Sequence, residues 1–472
     1  QVYTFRSRFQ EGETACREAA DQLRFLLADP IQSSAANHQV CLEELLFALL
    51  IEQGRFLNRL GQYEKAIEIA RSVSERLQEN LSTELSALNQ LIWGAALYFQ
   101  GAYPEAYQKL ETTRALAREL EFPQLEAESD YYLGLAYKEQ SRYELANQSL
   151  QNANHLYQLE NNQLGLIETL YGLGLTAHGH GEYPEAGTYF QEALEVTRRL
   201  DIPHEQCRIL NSLGTIREMQ TEYSLAHDYY MQSLRIAEFI NDRRILSQVV
   251  MNLGVLFSRV GMYEQALPHY ERSLHIKREL GSRRGEAWSL ANLGLLYHRI
   301  GEHQTALDLH YRMLDIACQL GSRSTEGIAH ARIGQDLLGQ RRFAEAEDSF
   351  RKGLAIQQEL GQDHWAAETM AGLLNISLEK GKVSEEHECI DQILVLLETR
   401  GTVGMREPFV VYLICFRALH SLSDKRAYEV LRIAHQALQF TAKKITDDKM
   451  RRAFLSNVAA HAEIAEEWKA LG

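Results

Sequence analysis

Proline is scarce in this chain, and paired cysteines are absent. Its 472 residues hold only 7 prolines and few β-branched runs, which points to a nearly all-helical protein. The six cysteines (Cys16, Cys41, Cys207, Cys318, Cys389 and Cys415) are scattered, with no CxxC pair. That usage predicts reduced, packed thiols and a cytoplasmic compartment. No apolar stretch approaches the roughly 18–20 residues of a membrane span, and no segment reads as a secretory leader, so no membrane partner is expected. The signatures of catalysis are missing as well. There is no GxxxxGK[ST] phosphate loop, HExxH or GxSxG. "EKGKVSEE" around Gly381 lacks the upstream glycine and the following Ser or Thr. His178 and His180 in "HGHG" have no nearby carboxylate or thiol partner in sequence, so they predict a solvated turn rather than a metal site. The expectation is a non-enzyme with no cofactor and no metal. Net charge is −15, which repels phosphate backbones and argues against direct nucleic-acid binding. The one dense basic run, Lys443, Lys444, Lys449, Arg451 and Arg452, reads as a solvated helix face.

A length of 472 residues exceeds what one core needs, so several domains or a repeat array is expected. The repeat is plain. "GQYEKA" starts at Gly61, "GAYPEA" at Gly101, "SRYELA" at Ser141, "GEYPEA" at Gly181, "TEYSLA" at Thr221 and "GMYEQA" at Gly261. "GEHQTA" at Gly301, "RRFAEA" at Arg341 and a degraded "GKVSEE" at Gly381 complete nine copies, 40 residues apart with no insertion. Seven residues before each turn stands a glycine, from Gly54 to Gly334, and five after the turn start an alanine, from Ala66 to Ala346. The ninth copy has Leu374 and Glu386 instead and is expected to pack differently. Each copy reads as two amphipathic helices, A and B. A glycine inside helix A costs roughly 0.5–1 kcal/mol. Its recurrence predicts that Gly and Ala remove bulk where the two helices cross.

Leu-Gly in helix A, Gly-x-Tyr at the turn and Ala in helix B resemble the tetratricopeptide repeat over residues 41–400. The common form has about 34 residues; the 40-residue spacing and "NLG" at Asn252 and Asn292 look most like its long-helix subclass. That subclass occurs in spindle-orientation scaffolds and in bacterial signal-transduction ATPases. The resemblance implies an all-α fold, a right-handed solenoid superhelix of stacked helix-turn-helix pairs. Residues 1–36 are expected to be an N-terminal helix ending near Pro30, the second helix of a truncated pair. Residues 37–400 form the nine units, 401–445 a divergent tenth pair, and 446–472 a capping helix. On that last helix Met450, Phe454, Val458, Ala465 and Trp468 share a face. "DKMRRAFLSNV" with a terminal Trp resembles the end of the repeat region in large bacterial regulators related to the maltose-operon activator. There a nucleotide-binding switch precedes a repeat-built sensor. A first residue of Gln rather than Met fits a piece of such a longer chain.

What remains is recognition. If the apolar stripe of helix A packs against helix B, its flanking positions line a concave groove. These are Tyr131, Lys138, Tyr171, His178, Asn211, Glu218, Asn252, Arg259, Asn292, His298 and Arg299. Asn252 and Asn292 could grip a backbone through their amides. Arg259 and Arg299 could hold a carboxylate. Trp93, Trp288 and Trp365 are expected to pack between repeats. Two functions follow. One is a sensor that binds a protein, peptide or small signal in the groove and regulates an attached NTPase switch. The other is a freestanding adaptor joining two proteins.

Overall fold

In a computed structural model of the chain, residues 2–28, 36–77, 82–402 and 405–471 are described, and among them there is no β-strand. They form two compact units. The first comprises Gln1–Ile216 with Glu238–Asp242, the second Arg217–Ala237 with Arg243–Gly472. The first unit is built from α1 (Val2–Ala28), α2 (Ala36–Leu60), α3 (Tyr63–Leu77), α4 (Thr83–Gln100), α5 (Tyr103–Glu119), α6 (Pro123–Glu139), α7 (Tyr143–Leu159), α8 (Gln163–His180), α9 (Tyr183–Arg199) and most of α10 (Pro203–Met219). The second holds most of α11 (Tyr223–Phe239), then α12 (Arg243–Arg259), α13 (Tyr263–Glu279), α14 (Arg283–Arg299), α15 (His303–Gln319), α16 (Arg323–Gly339), α17 (Phe343–Glu359) and α18 (Asp363–Glu379). It ends with α19 (His387–Arg400), α20 (Pro408–Ser421), α21 (Arg426–Lys444), α22 (Asp448–Ser456) and α23 (Ala459–Leu471). Even-numbered helices from α2 to α18 are the helices A. No helix among the described residues is long and apolar enough to cross a membrane.

The turns explain the register. Helix A ends on a left-handed residue, which is Gly at 61, 101, 181, 261, 301 and 381. Three copies use Ser141, Thr221 and Arg341 there, at φ between 56° and 61°. A β-branched residue is costly in that region, by about 1–2 kcal/mol. Thr221→Gly should therefore stabilise the fold by about 1 kcal/mol and raise the thermal midpoint by roughly 2 °C. An unchanged or lower midpoint in calorimetry would contradict this.

The alanine column lies at the centre of each hairpin, with Ala66 to Ala346 all at 0% exposure. The glycines have a sharper role than the sequence suggested. Gly94, Gly134, Gly174, Gly254, Gly294 and Gly334 each receive the large helix B side chain one turn beyond that alanine, whereas Gly54 faces Ile92 of the next helix A. A Cβ on Gly174 would stand 2.5 Å from Phe190, on Gly254 2.7 Å from Tyr270, and on Gly334 2.7 Å from Phe350. At Gly294 the guest is the ring of His310. Gly254→Ala gains about 1 kcal/mol of helix propensity but loses roughly 1–3 kcal/mol to overpacking. Net destabilisation of about 1–2 kcal/mol is expected. Gly187, whose Cβ would meet only Ile216 at 3.8 Å, is the control; Gly187→Ala should stabilise by up to ~1 kcal/mol. Urea unfolding of both variants checks the contrast.

The ninth hairpin departs from the pattern. Leu374 is fully buried where a glycine would be. Glu386 stands at the alanine position, and its carboxylate accepts a hydrogen bond from Ser377 Oγ at 2.9 Å. Helix B consequently starts late. Val383–Glu385 form only a 3-10 turn, and α19 begins at His387.

Two expectations about the ends need comment. α1 packs Ala20 and Leu23 against Leu46, Phe47, Leu50 and Ile51 of α2; the expected stop near Pro30 lies outside the described residues. The segment read as one capping helix is two. Asn457 breaks it, donating from Nδ2 to the Gly261 carbonyl at 3.1 Å. The Phe454 carbonyl, which a continuous helix would pair with the Val458 N–H, is bonded instead by His461 Nδ1 at 2.7 Å. After the break the buried face is Ala460, His461 and Ile464, in place of the predicted Val458, Ala465 and Trp468. This segment also does more than cover the last hairpin. Within the second unit it runs back to the turns of earlier copies. The amides of Thr446 and Asp447 each donate to Ser224 Oγ at 3.1 Å, Lys444 Nζ reaches the Gln220 carbonyl at 2.9 Å, and Phe454 packs on Tyr223. Lys444 is thus a structural contact rather than part of a free solvated face.

Candidate functional site

In the second unit, three successive helices A hold a non-helical stretch of the same chain, Met405–Glu407, which leads into α20. Arg406 Nη1 donates to Asn292 Oδ1 at 2.7 Å. The Asn292 amide is oriented by its own Nδ2, which donates to the Trp288 carbonyl at 3.0 Å. The Arg406 guanidinium carbon lies 5.7 Å from the ring centre of Trp288 and 5.9 Å from that of Trp365, within cation–π range of both. Burial and the neighbouring Arg332 and Arg259 cations pull its pKa down to about 10. Next along the chain, the Glu407 carboxylate accepts from Arg299 Nη2 at 3.1 Å and from Arg332 Nη1 at 3.0 Å. Burial pushes that carboxyl up, but the two guanidiniums outweigh it and hold it at about 2. The backbone is gripped too: Glu368 Oε1 accepts from the amides of Arg406 and Glu407, the latter at 3.1 Å. Burial raises the Glu368 carboxyl despite Arg332. A pocket of about 380 Å³ opens beside Glu407, lined among others by His298, His303, Asn375, Glu379 and Val410.

Of the residues singled out from sequence, Asn292 and Arg299 therefore meet on one peptide segment. Arg299 is also anchored to Ser258, donating to its carbonyl at 3.1 Å and its hydroxyl at 2.9 Å. His298 turns to Asp336, Nδ1 to Oδ1 at 2.9 Å, and the same carboxylate meets His310 Nδ1 at 2.5 Å. Glu218 and Arg259 pair with each other at 3.0 Å, and Tyr230 donates to Glu218 at 3.0 Å. Asn252 is half-buried on α12.

The first unit brings together a different group. Tyr131 donates to Glu168 at 3.1 Å, and burial with that carboxylate holds its phenol well above the ordinary value. Arg208 Nη2 reaches Glu168 at 3.1 Å, and its guanidinium lies 4.1 Å over the Tyr171 ring. Tyr171 shares a hydrogen bond with Ser212 at 3.2 Å. Lys138 pairs with Glu139, and His178 is lowered by burial and by Lys138. Asn211 is half-buried on α10. Among the described residues no group of three or more His, Cys, Asp or Glu could hold a metal ion.

Sequence reasoning missed Glu168, Arg208, Arg332 and Glu368. It also assigned Trp288 and Trp365 to packing, whereas both flank the Arg406 cation. A signal was present. Glu168, Arg208, Trp288 and Glu368 occupy one register position of helix A, and Asn252, Asn292 and Arg332 another. Polar and aromatic residues change from copy to copy at those positions while the apolar columns hold.

A family model described as a tetratricopeptide repeat matches residues 165–238 and 246–319, and a second so described matches 331–366. No curated protein matches the chain. Among solved structures, the apo form of the quorum sensor NprR from B. thuringiensis superposes with a TM-score of 0.57 at 14% identity, covering 74% of this chain and 97% of that one. Aspartyl phosphate phosphatase F from Bacillus subtilis gives 0.54 at 12%, covering 76% and 96%. A Rap protein complexed with competence and sporulation factor gives 0.50 at 14%, covering 90% and 99%. At such identities the likeness is one of fold. The chain is an all-α stack of helix hairpins that carries tetratricopeptide repeats at residues 165–238, 246–319 and 331–366.

Proposed function

We propose that this chain is a non-catalytic recognition module that binds a peptide or a peptide segment of a protein in a concave groove lined by its helices A. The observation that carries this reading is the seating of Met405–Glu407, where side chains of three successive helices A grip both backbone and side chains of a non-helical segment. A fold neighbour solved with a peptide bound, NprR in complex with its cognate peptide NprX, supports it. The face offered to a partner in the first unit centres on Tyr131, Glu168, Tyr171 and Arg208. There a cation and a carboxylate held by aromatic rings suit a ligand with charges of both signs. Lys138, His178 and Asn211 extend that face.

The module's setting is a cytoplasmic signalling protein in which ligand binding controls an attached NTPase switch. The C-terminal "DKMRRAFLSNV" pattern supports this. A nucleotide-binding domain encoded just upstream of Gln1 is its expected companion, and ATP hydrolysis by this chain alone would contradict it.

Selection of a random 15-residue peptide display library on the purified chain tests the binding function. Enriched sequences with micromolar affinity are expected, and Arg208→Glu should weaken them at least ~tenfold. Failure to enrich any sequence would overturn the reading.

A further inference from the structure

The residues around Arg406 and Glu407 form separate subsites in a fixed order. The first is a cation subsite made of two indole faces and an amide oxygen, Trp288, Trp365 and Asn292. Among the described residues no carboxylate hydrogen-bonds the Arg406 guanidinium; it is read by ring faces and a neutral acceptor, a mode that recognises a cation by shape as well as charge. The second subsite is for an anion, where Arg299 and Arg332 come from different helices onto one carboxylate. Between them Glu368 takes the two backbone N–H groups, a contact blind to side chains. A residue-by-residue reader of this kind is what a helix A face presents to a peptide. The occupying stretch is a connection between α19 and α20, and Gly401 at φ 65° begins it. Beside the anion subsite the pocket of about 380 Å³ leaves room for a further side chain of a longer ligand.

We propose that the second unit's helix A face is a selective site for a partner peptide carrying an Arg-Glu dipeptide, and that the chain's own Arg406-Glu407 is its resident competitor. This rests on helices A being peptide-reading faces, but it concerns the second unit, whereas the Arg208→Glu arm above concerns the first. The two can fail separately. Among the described residues, an emptied site holds Arg299, Arg332 and Glu368 with no counter-charge for the guanidiniums beyond Glu368. That imbalance favours a ligand with the same order of charges and disfavours the reverse order, which would set a carboxylate against the indoles and a cation against two guanidiniums.

The probe is a fluorescein-labelled peptide with the sequence of residues 402–409, Thr-Val-Gly-Met-Arg-Glu-Pro-Phe, followed by fluorescence anisotropy on the full chain. A variant with Arg406→Ser and Glu407→Ser empties the site. It should bind the peptide with micromolar affinity, at least about tenfold tighter than the unaltered chain. A peptide with Arg and Glu exchanged should bind at least about tenfold more weakly. Adding Arg299→Met to the emptied variant should abolish the difference between the two peptides. The proposal is overturned if the emptied variant keeps its helical circular dichroism but binds no peptide at about 1 mM, or if both peptide orders bind alike. Should the double variant fail to fold, Arg406→Gln keeps the Glu407 ion pairs and vacates only the cation subsite. It should bind the peptide at least about threefold tighter than the unaltered chain; equal binding counts against the proposal.

Discussion

Replacing Glu407 by Gln should destabilise the second unit by about 3 kcal/mol at neutral pH, because it leaves the buried Arg332 and half-buried Arg299 guanidiniums without their shared carboxylate. The thermal midpoint should fall by roughly 10 °C. Arg332 is 4% exposed and keeps only Glu368 at 3.9 Å as a carboxylate among the described residues, and Arg299 keeps Ser258. A second change, Arg332→Met, should recover part of the loss by removing one orphaned charge. The effect also has a pH signature. The folded carboxyl sits at about 2, below its value of about 4.3 in an unfolded chain. Its contribution is therefore fully present above the unfolded value and is lost as pH falls from about 4.5 towards 2. Urea unfolding at pH 7, 4 and 3 should show the unaltered chain losing stability through that window more steeply than Glu407→Gln. Parallel curves would contradict the assignment.

Asp336→Asn should cost about 3 kcal/mol, the second large effect. This carboxylate is 0% exposed and joins two histidines from different helices. The His310 ring lies over Gly294, and its two nitrogens face the Asp336 carboxylate and, at 3.3 Å, the Ala291 carbonyl. An asparagine amide keeps one oxygen where the carboxylate meets the two histidines through both, so one of the two contacts is lost. Burial raises the Asp336 carboxyl, but hydrogen bonds from His298 and His310 prevail and hold it below the ordinary range. The stabilisation is thus present above the unfolded carboxyl value of about 3.9 and fades as pH drops below it. Thermal melts should show a large gap between Asp336→Asn and the unaltered chain at pH 7 that narrows towards pH 3. His298 lines the pocket beside Glu407, so the same change should also loosen that wall.

The hairpin array was legible because its determinants are local and periodic. Turn residues, the alanine column and the glycine column recur every 40 residues, and from Gly94 onward the described glycines of the column meet a partner within their own hairpin. Even there the sequence showed that Gly294 needs space but not what fills it, since His310 lies in a column occupied elsewhere by Ala, Leu, Phe and Tyr. The candidate site was legible in half. Asn292 and Arg299 follow from register, yet their partners Arg406 and Glu407 lie more than 100 residues away in a stretch with no periodicity. Tryptophans at helix A positions looked like packing residues because a cation delivered from outside the repeat leaves no trace in the repeat itself. The break at Asn457 was hidden for a related reason: apolar spacing continues through it, and the cause is a hydrogen bond to Gly261, far earlier in the chain.

The claim that helices A are the peptide-reading faces is tested most directly by mapping where a selected peptide lies. A display-selected peptide carrying one photoreactive benzoylphenylalanine can be crosslinked to the full chain and the adducts located by mass spectrometry. The account predicts adducts on α6, α8 and α10 near Tyr131, Tyr171 and Arg208, and loss of those adducts in Arg208→Glu. Adducts confined to the odd-numbered helices B, unchanged by Arg208→Glu, would contradict it.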